Sequence, residues 1–532
     1  MCGIFLRENR EIHELPAADG AVGRIGKAGG HTPMMDDSRK SDRPIVPTKP
    51  SNKAEPSVAE GAEGRRLAKG NTDEQNAPRT QRRIEGAPSA LDRVRQRARQ
   101  DKKAKFTALF HHLTVDRLRD AYLSLQKRAA PGVDGVTWEQ YGENLEANLL
   151  DLHARLQRGA YRARPSRRVY IPKADGRQRP LGIASLEDKL VQRAVVEVLN
   201  AIYEVDFLGF SYGFRPRRSP HHALDALAVG ILRRKVNWLL DADLRDFFGT
   251  IDHGWLVKFV EHRIADRRML RLLQKWLSAG VMEEGRWMES KQGSPQGATV
   301  SPLLANIYLH YVFDLWIQQW RQRYAQGDVI VVRYADDLVV GFQHKPDAMK
   351  FLEALRERLR RFSLELHPDK TRLIAFGKFA DARQEERRRK GAAETFSFLG
   401  FTHICAKTRG GRFLLARHTD KKRMRAKLKE VKAELQRRRH QPIPEQGRWL
   451  GQVMRGYFAY HAVPTNIHAL SSFRTQLSRS WHRALRRRGQ RDRTDWARMK
   501  DLERRWIPPA RVLHLWPEER FDVRTRGKSP VR

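Results

Sequence analysis

Residues Val329 to Phe342 have the sequence VIVVRYADDLVVGF, and this stretch decides the fold. Two runs of β-branched and apolar residues, 329–333 and 338–342, flank Ala335-Asp336-Asp337, which predicts two strands joined by a tight turn. The two carboxylates would then lie at the tip of a β-hairpin. Adjacent carboxylates make each other harder to ionise, and a divalent cation between them removes that repulsion. A solvated hairpin turn is the alternative, and the dipeptide alone does not decide.

A second apolar strand also ends in acid. Val236–Asp243, with the sequence VNWLLDAD, places Asp243 at its C-terminal end. Asp241 shares that face of the strand one step deeper, and Asp246 lies nearby. If this strand lies beside the hairpin, Asp243 completes a cluster of hard oxygen ligands, which suit Mg²⁺ and substrate phosphates. The pattern predicts a site for two metal ions roughly 3.5–4 Å apart, as nucleotidyl transfer requires.

The composition limits the class of protein. The 532 residues, 40% of them apolar, are enough for several domains with hydrophobic cores. Lys and Arg number 103 against 62 Asp and Glu, a formal net charge of +41, which implies a polyanionic partner such as nucleic acid. An anionic membrane surface is the alternative, but no run of 18 apolar residues is present, so we interpret the chain as soluble and intracellular. Two cysteines, Cys2 and Cys405, exclude a disulfide framework and a Cys-x-x-Cys zinc pair, and without a Walker A motif ATP hydrolysis is not expected.

Two other segments carry cations in suggestive places. Residues 167–183 predict two short strands around an Asp-Gly turn, and Lys173 and Arg179 flank that turn, where both can reach one anion. Two ordinary surface charges are the alternative. Residues 211–216, SYGFRP, alternate aromatic and basic character, which suits base stacking with phosphate contact through Arg215, although a packed turn explains the pattern nearly as well.

Taken together and in order, the motifs resemble the group II intron-encoded reverse transcriptases, or maturases, of bacteria. The resemblance extends from about Ala90 to the C-terminus. One block alone would be weak, but the ordered set is specific. The blocks that carry the resemblance are Ala130–Gly135, Tyr170–Ile183, Ser211–Pro216, Asp243–Phe248, Ser294–Pro302, Tyr334–Asp337, His367–Thr371, Phe398–Phe401 and Arg455–Asn466.

The resemblance implies an α+β fold of the right-hand polymerase type. A disordered basic leader is expected at 1–85, then reverse transcriptase fingers and palm with an antiparallel palm sheet at 86–402. An α-helical thumb or maturase (X) domain is expected at 403–490, and a basic, extended and partly packed tail at 491–532. Many family members end in a zinc-supported endonuclease domain, and because no cysteine follows residue 405, we expect that domain to be absent.

The resemblance also implies roles for particular residues. Asp243, Asp336 and Asp337 would bind the metal ions. Phe248, in preference to Phe247, would pack under the sugar of the incoming nucleotide. Gly249 departs from the family, which usually has Asp there, but that acid is not a metal ligand and we expect activity to be kept. The remaining contacts implied for the dNTP are Lys173, Arg179, Gln296, Gly297 and Lys370, and those for nucleic acid are Arg215, Arg455, Arg486, Arg487 and Arg488.

The function implied is an RNA-directed DNA polymerase that uses two Mg²⁺ to add dNTPs to a primer 3′-OH. Its partners would be an RNA template, a DNA primer or target, and the parent group II intron RNA, which it would bind to assist splicing and mobility in the bacterial cytoplasm. The alternatives are a reverse transcriptase of a retron or diversity-generating element, a splicing-only RNA-binding maturase, and a generic basic nucleic-acid-binding protein.

Overall fold

The structure is a computed structural model, and it describes residues 89–172, 178–290, 292–294, 296–378, 394–489 and 494–525. The leader expected at 1–85, the turn at Asp175-Gly176 and the candidate Lys173 lie outside the described residues.

Helices make up most of the described chain. Many begin after a Ser, Thr or Asp whose side chain accepts a hydrogen bond from a first-turn N–H, which satisfies a donor that the helix itself cannot. These capping residues are Ser89, Thr114, Thr137, Ser185, Ser219, Asp252, Asp266, Asp420 and Asp495. The helices are α1 Ala90–Gln100, α2 Val115–Ser124, α3 Trp138–Gly142, α4 Leu145–Gln157, α5 Leu186–Asp206, α6 Pro220–Arg233, α7 Phe247–Thr250, α8 His253–Glu261, α9 Arg267–Ser278, α10 Ser301–Leu309, α11 Leu315–Arg323, α12 Lys345–Arg361, α13 Lys421–Arg437, α14 Ile443–His461, α15 Ile467–Arg486, α16 Trp496–Trp506 and α17 Pro517–Thr525.

The strands form three sheets, with orders β2-β1-β4-β5, β6-β7-β3-β8 and β11-β10-β9. In the first, β1 and β4 pair in parallel and the other neighbours are antiparallel. The strands are β1 Ser166–Pro172, β2 Gln178–Ile183, β3 Trp238–Asp243, β4 Val281–Glu283, β5 Arg286–Met288, β6 Val329–Tyr334, β7 Asp337–Phe342, β8 Arg372–Ala375, β9 Phe396–Phe398, β10 Phe401–Lys407 and β11 Phe413–Thr419.

The second sheet, β6-β7-β3-β8, holds the predicted hairpin, and we call it the hairpin sheet. All of its pairs are antiparallel, as predicted. One face packs on α6 in a buried cluster that includes Leu227, Leu239 and Val332. The same cluster extends to Phe401 of the third sheet and to Phe521 of α17. This burial fixes the register of the strands, because a slip of one residue would turn their apolar side chains to the other face.

The helical domain expected at 403–490 begins later than predicted. Residues 401–419 form the hairpin of β10 and β11 instead, and α13 starts at Lys421. The reason is a period of two in β10, in which Phe401, His403 and Cys405 are buried and the residues between them are not. The domain boundary expected at 403 therefore falls inside the β10–β11 hairpin, before the first helix of the bundle.

From α13 onward the chain is a helical bundle with its own core. We call α13–α16 the C-terminal bundle. Its buried cluster includes Leu435, Leu450, Phe473 and Trp481. The tail predicted as an extended segment at 491–532 contains α16 and α17, and residues 526–532 lie outside the described range. In the described part of the chain, no helix is both long and apolar enough to cross a bilayer.

Candidate active site

The hairpin of β6 and β7 ends in a two-residue turn. Tyr334 and Asp337 are the last paired residues, so Ala335 and Asp336 form the turn. Ala335 has a φ of +56°, which is uncommon for a residue with a side chain. Gly213 lies against this turn, since a Cβ at that glycine would be 2.2 Å from the Ala335 nitrogen. The tip is therefore held in an unusual conformation by a neighbouring backbone.

The three predicted metal ligands meet at this tip. Asp243, the last residue of β3, pairs directly with Asp337, the first residue of β7. One carboxylate oxygen each from Asp243, Asp336 and Asp337 lies within 4.8 Å of the other two. All three residues are partly exposed, although the strands behind them are buried. The arrangement presents a cluster of hard oxygen ligands to solvent at one edge of the sheet.

Two cations and one further acid surround the cluster. The Lys370 ammonium donates a hydrogen bond to the Asp243 carboxylate, and the Arg372 guanidinium lies 3.4 Å from the Asp241 carboxylate. Burial raises the pKa of Asp241 to about 6; Arg372 opposes this rise, whereas the nearby Asp337 and Asp243 add to it. Lys370 is thus placed beside a predicted metal ligand.

The two phenylalanines that follow Asp243 differ in their exposure to solvent. Phe247 is 3% exposed and belongs to the core. Phe248 is partly exposed, and its ring meets the rings of Phe214 and Phe247 edge-on. Assigning Phe247 to the nucleotide is therefore wrong, because a buried ring has no free face. Phe248 remains available for contact with a sugar.

The loop with Gln296 and Gly297 makes hydrogen bonds both to the segment that follows β3 and to the first sheet. The Ser294 N–H donates to the Phe248 carbonyl at 2.8 Å, and the Gly182 N–H donates to the Gln296 carbonyl at 2.7 Å. Gly297 has a φ of +113°, and a Cβ there would be 2.9 Å from the Gly182 oxygen, so glycine fits the close approach. Arg179 lies in β2, opposite Ile171.

Arg215, predicted to contact nucleic acid, is buried. Only 4% of the residue is exposed, and its guanidinium is bound to the Glu204 carboxylate and to the carbonyls of Leu208 and Ser211. A guanidinium that is buried and bound in this way is not available to a phosphate. The prediction is wrong, and the alternative of a packed turn at 211–216 is correct.

Comparison with known proteins agrees with the motifs. The family model of reverse transcriptase (RNA-dependent DNA polymerase) matches residues 171–403. Protein YkfC of Escherichia coli (strain K12) is 36% identical over 288 residues, which cover 48% of this chain and 75% of YkfC. The group II intron-encoded protein LtrA of Lactococcus lactis subsp. cremoris is 34% identical over 239 residues, covering 44% of this chain and 39% of LtrA. A 91 kDa protein in the cob intron of Schizosaccharomyces pombe is 41% identical over 160 residues, covering 30% of this chain and 20% of that protein.

The chain belongs to the reverse transcriptases of the group II intron type. It is an RNA-directed DNA polymerase, and the resemblance inferred from the ordered motifs is confirmed. The hairpin sheet lies within the matched region, so the three clustered carboxylates lie in the polymerase part of this reverse transcriptase.

The C-terminal bundle of this reverse transcriptase carries the other predicted nucleic-acid contacts. Arg455 is exposed on α14, and Arg486–Arg488 lie at the end of α15, exposed or nearly so. Arg455 and Arg486 lie on different helices of the bundle, α14 and α15.

A basic groove that sequence reasoning missed lies between α13 and α15. Its volume is about 650 Å³. No acidic residue lines it, and among the described residues none of its four cations is in an ion pair. The sequence does show two cations at i, i+3 on α13 and two at i, i+4 on α15, a spacing that places each pair on one face of its helix. It does not show that the two faces lie side by side, because that depends on how two distant helices pack. The groove is lined by Leu428, Lys429, Lys432, Ser472, Thr475, Gln476, Arg479, Ser480 and Arg483.

Proposed function

We propose that this reverse transcriptase copies an RNA template by adding dNTPs to a primer 3′-OH at Asp243, Asp336 and Asp337, which bind two Mg²⁺. The observation that carries the proposal is the approach of three carboxylate oxygens to within 4.8 Å of one another at a solvent-facing edge. Three acids so close repel one another unless cations lie between them, and carboxylates with open positions for phosphate suit Mg²⁺. Two bound Mg²⁺ would activate the primer hydroxyl and stabilise the departing pyrophosphate.

The side chains around the triad bind and orient the substrate. Lys370, whose ammonium reaches Asp243, contributes a positive charge for the triphosphate. Phe248 offers a ring to the sugar, where a 2′-OH would collide with it. Gln296 and Gly297 line the nascent base pair, and Arg179 of β2 contacts the phosphates. Lys173, which lies outside the described residues, is proposed as a second phosphate contact. Most of the catalysis is then positioning and charge stabilisation, which is typical of phosphoryl transfer.

We also propose that the C-terminal bundle acts as the thumb and binds the backbone of structured RNA, including the parent intron, in the basic groove. Ser472, Thr475 and Gln476 offer hydrogen bonds to phosphate and to the 2′-OH of ribose. The four cations supply the electrostatic attraction, and the groove carries no acid to oppose it. Assistance of splicing would follow from this binding by recognition of RNA shape.

Primer extension with Asp336→Ala tests the polymerase proposal. Loss of one carboxylate from a metal site removes several kcal/mol of transition-state stabilisation, so we expect synthesis to fall by at least about 10³-fold. RNA affinity should stay within a few-fold, because the groove is untouched. The control is Asp328→Ala, which changes an acid at the opposite end of the same hairpin, where it pairs with Arg234.

Substantial synthesis by Asp336→Ala would refute the site assignment. A parent protein that binds intron RNA and promotes splicing but extends no primer would favour the splicing-only maturase instead. Sequencing the RNA that copurifies with the protein from its host separates an intron partner from another retroelement, because only the former would yield an RNA whose ends flank this gene.

A further inference from the structure

An ion pair lies buried behind the catalytic hairpin. Arg333, in β6, and Asp314, in the turn between α10 and α11, are both fully buried. The guanidinium donates to both carboxylate oxygens, at 2.7 and 2.6 Å. Such a bidentate contact fixes the plane and the direction of the arginine side chain. Burial of an ion pair seldom adds stability over an apolar replacement, so the pair calls for another reason.

The third nitrogen of Arg333 reaches the turn that carries the catalytic acids. It donates to the carbonyl of Ala335 at 3.2 Å and to the side-chain oxygen of Asn306 at 2.9 Å. Ala335 is the residue with φ of +56°, immediately before Asp336 and Asp337. The guanidinium therefore connects a buried helix to the peptide that immediately precedes Asp336.

Asn306 also binds the backbone that lies against this turn. Its amide donates to the Gly213 carbonyl at 2.8 Å, and Gly213 is the residue that lies against the Ala335 nitrogen. The chain just before this glycine is fixed to β6 as well, because Arg333 donates its N–H to the Phe210 carbonyl and accepts from the Tyr212 N–H, both at 2.9 Å. The turn thus lies between two backbones that share one network of hydrogen bonds.

A π-helical turn at His310–Asp314 makes this network possible. Asn306 and Asp314 are eight residues apart, and in a regular α-helix they would point about 80° apart around the axis. A π-turn absorbs one extra residue, which brings the two side chains to within about 20° of one another. Both can then face Arg333. His310 does not compete with Arg333 for Asp314, because its Nδ1 lies 3.9 Å from the carboxylate, too far for a hydrogen bond. Burial also lowers its pKa to about 3, so that it carries no positive charge.

We infer that Arg333, Asp314 and Asn306 are positioning residues for the polymerase reaction, which fix the Ala335 turn and thereby the directions of the Asp336 and Asp337 carboxylates. The inference rests on the proposed function, since it takes these carboxylates as the metal ligands. It assigns a role in catalysis to residues that touch neither metal nor substrate. A displacement of about 1 Å in a reacting group is enough to lower a rate by 10²-fold.

The test replaces the ion pair by apolar residues, because such replacements often leave stability nearly unchanged while they remove the hydrogen bonds to the turn. The double variant Arg333→Met/Asp314→Leu should unfold within a few degrees of the parent and bind duplex RNA equally well. We expect kcat for dNTP addition to fall about 10²-fold with KM for dNTP within threefold, and the Mg²⁺ concentration for half-maximal activity to rise several-fold. A purely structural role would leave kcat and the Mg²⁺ requirement of the folded variant unchanged.

A matched control uses a second buried ion pair away from the hairpin. Arg263 lies 2.9 Å from Asp206, and its other partners are the carbonyls of Ala98 and Asp101. The variant Arg263→Met/Asp206→Leu should keep the parent kcat. If the first double variant does not fold, Arg333→Lys takes its place: it keeps the charge beside Asp314 but cannot span the three acceptors.

The outcomes separate the inference from the proposed function. Parent-like kcat and Mg²⁺ dependence in a folded Arg333→Met/Asp314→Leu or Arg333→Lys variant, with Asp336→Ala inactive in the same assay, would overturn the positioning role alone. Activity of Asp336→Ala would instead overturn the site itself. Equal losses in the Arg263 control would also count against the positioning role, because any buried pair would then serve.

Discussion

Neutralising the four cations of the basic groove should change how RNA binding depends on salt. We consider the variant in which Lys429, Lys432, Arg479 and Arg483 are all replaced by Gln. Each phosphate neutralised by a protein cation contributes about 0.9 to the slope of log K against log[salt] for a duplex and about 0.7 for a single strand. If all four cations contact phosphates, the slope should become shallower by about 3 to 4 units.

This change in slope is large enough to measure. Between about 50 and 200 mM salt, four duplex contacts account for roughly 2 logarithmic units of affinity, so the advantage of the parent over the variant should shrink about 100-fold across that range. The assay is fluorescence anisotropy of the full chain with a labelled RNA duplex of about 16 base pairs, the span that a double-stranded RNA-binding domain covers. A single-stranded RNA of equal length shows which form the groove prefers.

The bundle offers a control with the same change in net charge. Cations that already pair with an acid have less to gain from a phosphate, so their removal should change the slope by less than one unit. Equal changes for both variants, or none for the groove variant, would refute the reasoning, since binding would then follow net charge or another surface. The control replaces by Gln four paired cations, which are Lys427, Arg437, Arg438 and Arg504.

Three further outcomes follow from single side chains. Phe248→Ala should raise incorporation of ribonucleotides relative to dNTPs by about 10- to 100-fold in primer extension, whereas Phe247→Ala should mainly lower stability. Arg215→Ala should cost about 2 kcal/mol in denaturant unfolding, because it leaves buried carbonyls without a donor, and should not change the salt slope of RNA binding. Burial lowers the pKa of His403 to about 3, so below pH 6.5 the unfolded chain binds a proton that the native state does not. The free energy of unfolding should therefore fall as the pH falls, by up to about 1.4 kcal/mol per pH unit. His403→Phe should remove that part of the slope in denaturant unfolding.

The sheet edge at which Asp243, Asp336 and Asp337 meet could be predicted from the sequence, because local patterns determine the strands that form it. Two β-branched runs around an acidic pair make a hairpin in any context that buries its sides, and an apolar strand that ends at Asp243 has few other places to pair. The difference in exposure between Phe248 and Phe247 also has a local origin, because both residues follow a turn at Asp246, whose φ of +42° lies in the left-handed region. A one-dimensional pattern does not reveal that turn.

The failures come from contacts that a local sequence pattern does not show. Nothing near Arg215 in the sequence shows that Glu204, on the preceding helix, returns to bind it. The groove requires α13 and α15 to lie side by side, and the network behind the hairpin requires a π-turn to align Asn306 with Asp314. The alternation in β10 has a period of two that the sequence shows, but the domain boundary expected from the resemblance lies at 403, inside this hairpin.

The distribution of charge explains why the basic groove and the acidic cluster lie on different parts of the molecule. A chain with a net charge of +41 attracts any phosphate backbone, yet the site proposed for polymerisation is a cluster of acids that repels phosphate. RNA binding and catalysis therefore need separate surfaces. The groove of the bundle can bind RNA without divalent ions, whereas the edge at Asp243 and Asp337 favours a triphosphate only after divalent ions have reversed its charge. Three flexible acids could bind such ions in many arrangements. A turn fixed from both sides, by Arg333 and by Gly213, leaves few of them and so favours the geometry that the reaction needs.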